Sequence, residues 1–269
     1  MENTLNLNDL RALILDIDGT LWRGNGPLPG LKRFFDFLQQ RHIGFVVVTN
    51  NTIKSPAQYR QKFAGCGVTV HLRCVLTASV ATASYLSRLF GRRGSVYVIG
   101  EAGLRQAIRE AGFTLLGDAS RPAAAVVVGG DRKLTYDKLK HAVLLIRRGA
   151  VFVGANPDLL VPTEEGLVPE AGTTLAAIQA ATGNAPTIVG KPERYLFELA
   201  LAKMDSTPTQ TAVLGDRLDT DIVGGQRAGL RTILVTTGID NEQTISQKGI
   251  RPDAIFSGLD ELVEVWRDI

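Results

Sequence analysis

Cysteine is nearly absent from this chain: Cys66 and Cys74 are the only two, with no Cys/His partner set around them. That pattern supplies neither a zinc site nor a convincing disulfide, and reads instead as reduced, buried or half-buried thiols in a cytoplasmic protein. An excess of one charge is missing too. The 30 Lys and Arg residues face 27 Asp and Glu, a net +3. The basic residues are scattered, with Arg92-Arg93 and Arg147-Arg148 on solvated faces, which argues against nucleic acid as a partner. No apolar run approaches the ~20 residues of a membrane span, so no membrane association is expected. The opening MENTLNLNDL has no basic segment leading into an apolar stretch, and no signal peptide is expected. Repeats, low-complexity tracts and long linkers are likewise lacking.

What remains is ordinary globular material, 45% hydrophobic and 21% charged over 269 residues, enough for one large domain or two smaller ones. Short β-branched runs alternate with helical patterns. Strands are expected at Leu13–Asp16, Gly44–Thr49, Val96–Ile99, Ala125–Val128, Val151–Gly154, Thr187–Val189, Ala212–Gly215 and Thr232–Val235, with a short one at Ala254–Phe256. Their continuous apolar character suits parallel strands covered on both faces. Leu31, Phe34, Phe35 and Leu38 give an i, i+3, i+4, i+7 helical face, and Ser55-Pro56 reads as an N-cap followed by Pro at the first helical position. Further helices are expected around Tyr136–Ile146, Leu175–Ala181, Arg194–Met204 and Asp260–Trp266. The β-α-β order predicts an α/β protein with a doubly wound, mainly parallel sheet.

Four apolar strands end in polar groups, where an open α/β sheet binds ligands. The first runs into Asp16-Ile17-Asp18-Gly19-Thr20. Two carboxylates one residue apart point to the same side of an extended chain and raise each other's pKa unless something offsets them. A divalent metal is the simplest offset. The second strand ends in Thr49-Asn50-Asn51, a hydroxyl and two amides. The third ends in Gly190-Lys191-Pro192, and the fourth in Gly215-Asp216, continuing through Arg217-Leu218-Asp219-Thr220-Asp221 into an expected helix. Asp221 can approach the same cation as Asp216. With Asp16 and Asp18 this makes four carboxylates, and only Lys191 opposes them.

Such a set suits phosphoryl transfer with bound Mg2+, a cation that prefers oxygen ligands. Thr49 and Lys191 would meet the phosphoryl oxygens with a donor and a positive charge. Each piece alone has a plainer reading. Asp16–Thr20 could be a turn or a calcium-type loop, Thr49-Asn50 a helix cap, Lys191 a solvent-exposed charge, and Asp216–Asp221 an N-cap with an acidic first turn. Their shared order, each at a strand end, favours one site. The polar strand ends fall early and late in the chain. The stretch between has βαβ character but no such cluster, which predicts a core from residues 1–77 plus 187–269 and an inserted α/β domain over 78–186.

These four motifs, in this order, resemble those of the haloacid dehalogenase-like superfamily over nearly the full length. The insertion resembles the α/β cap of its NagD and para-nitrophenylphosphatase branch. Supporting matches are Asp18-Gly19-Thr20-Leu21-Trp22, Thr49-Asn50-Asn51, Asn156-Pro157-Asp158 and Gly215–Asp221. The resemblance implies a phosphatase with Asp16 as nucleophile and Asp18 as general acid and base. It assigns Mg2+ to Asp16, the Asp18 main-chain carbonyl and Asp216, with Asp221 in support. Thr49, Asn50 and Lys191 then bind the substrate phosphate.

Superfamily dehalogenases and phosphonatases lack an acid at the position of Asp18, so they are disfavoured. Phosphomutases carry a helical cap before the second motif, for which Thr20 to Thr49 leaves little room. A phosphotransferase or a non-catalytic phosphate-binding protein on the same fold stays an alternative. The insertion is expected to close over the site and select the substrate, with Asn156, Asp158, Gly172 and Thr173 as candidates. Gly172-Thr173 reads either as a helix entry with free N–H groups for an anion or sugar hydroxyl, or as an ordinary N-cap. Nucleoside monophosphates, phosphoglycolate, small sugar phosphates and pyridoxal phosphate are all implied as substrate types, and nothing in the sequence chooses among them. A homo-oligomer paired through the cap also stays open.

Overall fold

The computed structural model describes residues 5–163 and 165–268. The chain divides into two compact units. One takes the chain up to Thr49, Ala57–Leu76 and the chain from Lys191 onward; the other takes Asn50–Pro56 and Thr77–Gly190.

The first unit is built on a six-stranded sheet in the order Ala254–Phe256, Arg231–Val235, Thr211–Gly215, Ala12–Asp16, Gly44–Thr49, Val75–Thr77. Every residue of Ala12–Asp16 and of Thr211–Gly215 is buried, as their unbroken apolar runs require of central parallel strands. The register carries the functional consequence. Asp16 pairs with Val48, and Leu15 with Leu214, both in parallel. Asp16, Thr49 and Asp216 therefore arrive within one residue of the same level at the carboxyl edge. Helix Leu31–Gln40 buries the expected face of Leu31, Phe34, Phe35 and Leu38. Phe37 extends that face to Trp266 of helix Leu259–Arg267, with ring centroids 5.5 Å apart.

The second unit has its own sheet in the order Thr187–Ile188, Val151–Gly154, Ala125–Val128, Ser95–Ile99, Thr114–Leu116, parallel throughout. A separate core of Tyr97, Val126, Val128, Leu145, Phe152 and Ile178 lies against it. Leu160–Thr163 and Gly166–Pro169 form an antiparallel pair before helix Ala171–Thr182.

The unit boundaries differ from the sequence reading, the second unit taking Thr77 as well. Thr187 and Ile188 pair with Val153 and Gly154, so they belong to the second unit, and the break moves from residue 187 to Lys191. Asn50–Pro56 also falls in the second unit. The helix expected to follow Asp216 begins as a wider π-type turn over Leu218–Ile222, continuing as Val223–Arg227. Val75–Thr77 and Thr114–Leu116 were not anticipated because three-residue strands carry too little periodicity to read. Cys66 and Cys74 are free thiols, each half-buried. Among the described residues, no helix is long and apolar enough to cross a membrane.

Candidate active site

Three of the four predicted strand ends converge in a buried ionic cluster in the first unit. Oxygen atoms of Asp16, Asp216 and Asp221 lie within 4.8 Å of one another, and all three residues are buried. The Lys191 ammonium, also buried, donates to Asp16 and, at 2.6 Å, to Asp221 Oδ1. One cation thus faces three carboxylates in a place where water cannot screen them.

The titration of these groups follows from that imbalance. Burial pushes the Asp16 carboxyl well above its ordinary value; Lys191 opposes the rise, while Asp221 and Asp216 add to it. Burial and the Asp221 charge raise Asp216 to about 7, against a restraining hydrogen bond from the Ile239 N–H. Burial alone would lower the Lys191 pKa, but Asp16 and Asp221 reverse this and hold the ammonium above its ordinary value. The donor set fits Mg2+: hard carboxylate oxygens, close together, carrying negative charge that a divalent cation neutralises.

The sign of the pH effect follows. Groups whose folded-state pKa is raised bind protons more tightly folded than unfolded, so stability is lost as the pH climbs from the ordinary carboxylate value through that of the folded state. Metal-free protein is expected to unfold several degrees lower at about pH 8 than at about pH 5, with Mg2+ restoring more at the higher pH. Thermal unfolding at both pH values, with chelator or with Mg2+, checks this.

The carboxylate of Asp18 lies outside the cluster. The strand ends at Asp16, and the chain turns at once: the Gly19 N–H donates to the Trp22 carbonyl at 2.6 Å, and Asp18 is exposed. What Asp18 can offer a cation is its main-chain carbonyl, the atom that the resemblance assigns. Gly19 is required here on two counts, a φ of +96° and an approach that would set a Cβ 2.3 Å from Asp216 Oδ2. Thr237 fastens this turn by donating its hydroxyl to the Gly19 carbonyl at 2.7 Å.

Thr49 is buried at the end of its strand. Sequence reasoning missed its neighbour Tyr59, whose phenol is hydrogen-bonded to Thr49 and driven upward in pKa by burial and by the charges of Asp18 and Asp16. An aromatic on a helix reads as core, and nothing local in the sequence distinguishes this one.

The remaining predicted residues lie in the second unit and are occupied there. The Asn50 amide donates to Asp158 Oδ2 at 2.9 Å, and its carbonyl accepts from the Asn156 amide at 2.8 Å. Asn156 Oδ1 in turn accepts the Asp158 N–H at 3.0 Å, an Asx turn. These bonds tie Asn50 to the Asn156–Asp158 turn.

The free N–H groups expected at Gly172-Thr173 are also engaged. The helix starts earlier, at Ala171, so both residues lie in its first turn. The Gly172 N–H donates to the Asp158 carbonyl at 2.8 Å and the Thr173 N–H to the Glu170 carbonyl at 3.1 Å. The Thr173 hydroxyl donates to the Leu159 carbonyl at 2.7 Å. Gly172 is needed for this closeness, since a Cβ there would fall 2.2 Å from the Pro157 carbonyl oxygen. The pair latches a loop to the start of the helix.

Comparison with known proteins bears on the whole chain. A sequence profile of the haloacid dehalogenase-like hydrolases matches residues 13–114, and a HAD-hydrolase-like profile matches residues 188–262. The acid sugar phosphatase of Staphylococcus aureus (strain USA300) is 35% identical over 257 residues, covering 96% of this chain and 98% of its own. The p-nitrophenyl phosphatase from Archaeoglobus fulgidus superposes with a TM-score of 0.91 at 30% identity, covering 96% of this chain and 99% of its own. NagD from E. coli K-12 gives 0.85 at 33% identity, with 94% and 98% covered.

Proposed function

Since the chain belongs to the haloacid dehalogenase-like hydrolase family, we propose that it is a Mg2+-dependent phosphatase that hydrolyses small phosphate monoesters through an aspartyl-phosphate on Asp16. The observation that carries this reading is the buried convergence of Asp16, Asp216 and Asp221 on Lys191. No structural purpose calls for three carboxylates and one ammonium out of water, where such groups are costly.

Asp16 attacks the substrate phosphorus in line, forming a carboxylate–phosphorus bond as the bond to the leaving oxygen breaks. Asp18 protonates that leaving oxygen, then takes the proton of the water that hydrolyses the aspartyl-phosphate. Its exposure in the turn after the strand suits a group that must exchange protons, whereas Asp16 is buried and fixed. Lys191 holds Asp16 and is placed to neutralise the phosphoryl oxygens, and the Thr49 hydroxyl supplies a further donor. Asp16, Asp216 and the Asp18 carbonyl would hold Mg2+, with Asp221 in support. When bound, the ion supplies the positive charge that lets two anions, carboxylate and phosphate, approach each other.

Asp16, Asp18, Thr49 and Lys191 all belong to the first unit, and choice of the rest of the substrate is assigned to the second. Sugar phosphates are the favoured class, on the strength of the S. aureus relative's description. The free thiols of Cys66 and Cys74 fit a cytoplasmic setting. p-Nitrophenyl phosphate with Mg2+, against the same assay with chelator, tests the reaction. Release is expected only with the metal, and equal rates in both would remove the metal from the account. A panel of sugar phosphates, nucleoside monophosphates and phosphoglycolate then tests the class.

A further inference from the structure

A fourth buried carboxylate lies outside the cluster. Asp240 follows the strand Arg231–Val235 and is almost wholly out of solvent. Its side chain accepts the Leu218 N–H at 2.7 Å. Leu218 opens the π-type turn that ends at Ile222, and that turn carries Asp221. The backbone on the same stretch grips the other carboxylate. The Asp240 N–H donates to the Asp216 carbonyl at 3.1 Å, and the Ile239 N–H to Asp216 Oδ2 at 2.9 Å. Gly238 completes the grip, because a Cβ there would overlap Asp216 Oδ2 at 1.9 Å.

Lys248, at the end of helix Glu242–Lys248, closes the arrangement. Its ammonium lies 2.9 Å from Asp240 Oδ1 and also pairs with Asp219, inside the turn. One lysine therefore joins the turn to the segment that grips Asp216. A wide turn satisfies its own N–H and C=O groups less regularly than an α-helical one, so an outside acceptor for its first N–H has a specific use.

We propose that Asp240, braced by Lys248, is a positioning residue that presets the spacing of Asp216 and Asp221 for the cation. The inference rests on the metal-dependent phosphatase reading. A carboxylate pair held at the right separation before binding loses less freedom when the ion arrives, and supporting groups of this kind are commonly worth about 10-fold or more in metal affinity.

Three variants of the full chain test it: Asp240→Ala removes acceptor and charge, Asp240→Asn keeps an acceptor for Leu218, and Lys248→Gln removes the brace. Two readouts apply, the apparent Mg2+ dissociation constant from the Mg2+-dependent rise in unfolding midpoint, and the Mg2+ concentration giving half-maximal hydrolysis of p-nitrophenyl phosphate. Both are expected to rise about 10-fold in Asp240→Ala and about threefold in the two milder variants, with substrate KM at saturating Mg2+ changed less than about twofold. If Asp240→Ala does not fold, the milder pair decides. Variants that unfold earlier without Mg2+ yet keep the wild-type Mg2+ constants would overturn the positioning role and make Asp240 a structural residue only. A wild type with neither Mg2+ response nor phosphate release would instead bring down the phosphatase reading, and the inference with it.

Discussion

Asp16→Asn is expected to reduce phosphate release by about 10⁴-fold or more while leaving the protein folded and at least as stable as the wild type without metal. The two halves of that expectation come from different physics. An amide of the same shape has no anionic oxygen to attack phosphorus, so the chemical step is lost rather than slowed. Stability moves the other way. Asp16 sits buried among Asp216 and Asp221, and its carboxyl is held well above its ordinary pKa, chiefly by burial and by those neighbours. Removing its charge relieves that repulsion. Such a pairing of dead chemistry with retained or improved stability separates a nucleophile from a structural anchor. The check is kcat/KM on p-nitrophenyl phosphate at saturating Mg2+, together with thermal unfolding in chelator. Activity above about one hundredth of wild type would point to another nucleophile.

Lys191→Met is expected to lower the rate as well, but to move stability in the opposite sense. The side chain is 3% exposed and its ammonium is bonded to both Asp16 and Asp221. Taking it away leaves buried carboxylates uncompensated, a change that costs about 3–5 kcal/mol in comparable buried pairs. The loss depends on pH. The uncompensated carboxylates keep their protons to a higher pH in the folded state, so the deficit is small in acid and grows as the pH rises past about 7, where Asp216 already titrates in the intact cluster. Mg2+ should recover part of the stability, since it neutralises the same charges. It should not recover the rate, which is expected to stay roughly 10²–10³-fold down for want of the ammonium at the phosphoryl oxygens. Urea unfolding at two pH values, with and without Mg2+, reads the first effect, and kcat the second.

The parts of this site that sequence could reveal share one property: each is the polar end of an apolar strand. Asp16, Thr49 and Asp216 could be read because an unbroken apolar run is a strong signal, and parallel register then brings such ends to one edge; Lys191 was legible by the same signal, although the strand before it, Thr187–Ile188, belongs to the other sheet. Asp221 followed from Asp216 by proximity in the chain. Where the run stops, inference weakens. The alternation rule put Asp18 on the same side as Asp16, but the strand ends at Asp16 and Gly19 turns the chain. At Gly172-Thr173 the motif was visible, yet the acceptors that occupy its N–H groups come from Asp158 and Glu170, which only folding brings to them. Tyr59 and Asp240 are legible only in three dimensions. Their partners, Thr49 and Leu218, lie in other elements, and neither Tyr59 nor Asp240 stands at the end of an apolar strand.

The covalent step on Asp16 is the central claim, and it can be caught directly. Asp18→Asn, which lacks the base that hydrolyses the intermediate, is mixed with p-nitrophenyl phosphate and Mg2+, quenched in acid, and mapped by peptide mass spectrometry. Nitrophenolate is a good leaving group that needs little protonation, so the first step proceeds while the second stalls. The account predicts a burst of nitrophenolate and one phosphoryl group on Asp16 in the Ala12–Arg23 peptide. A burst with no adduct there, or an adduct on another residue, would contradict it.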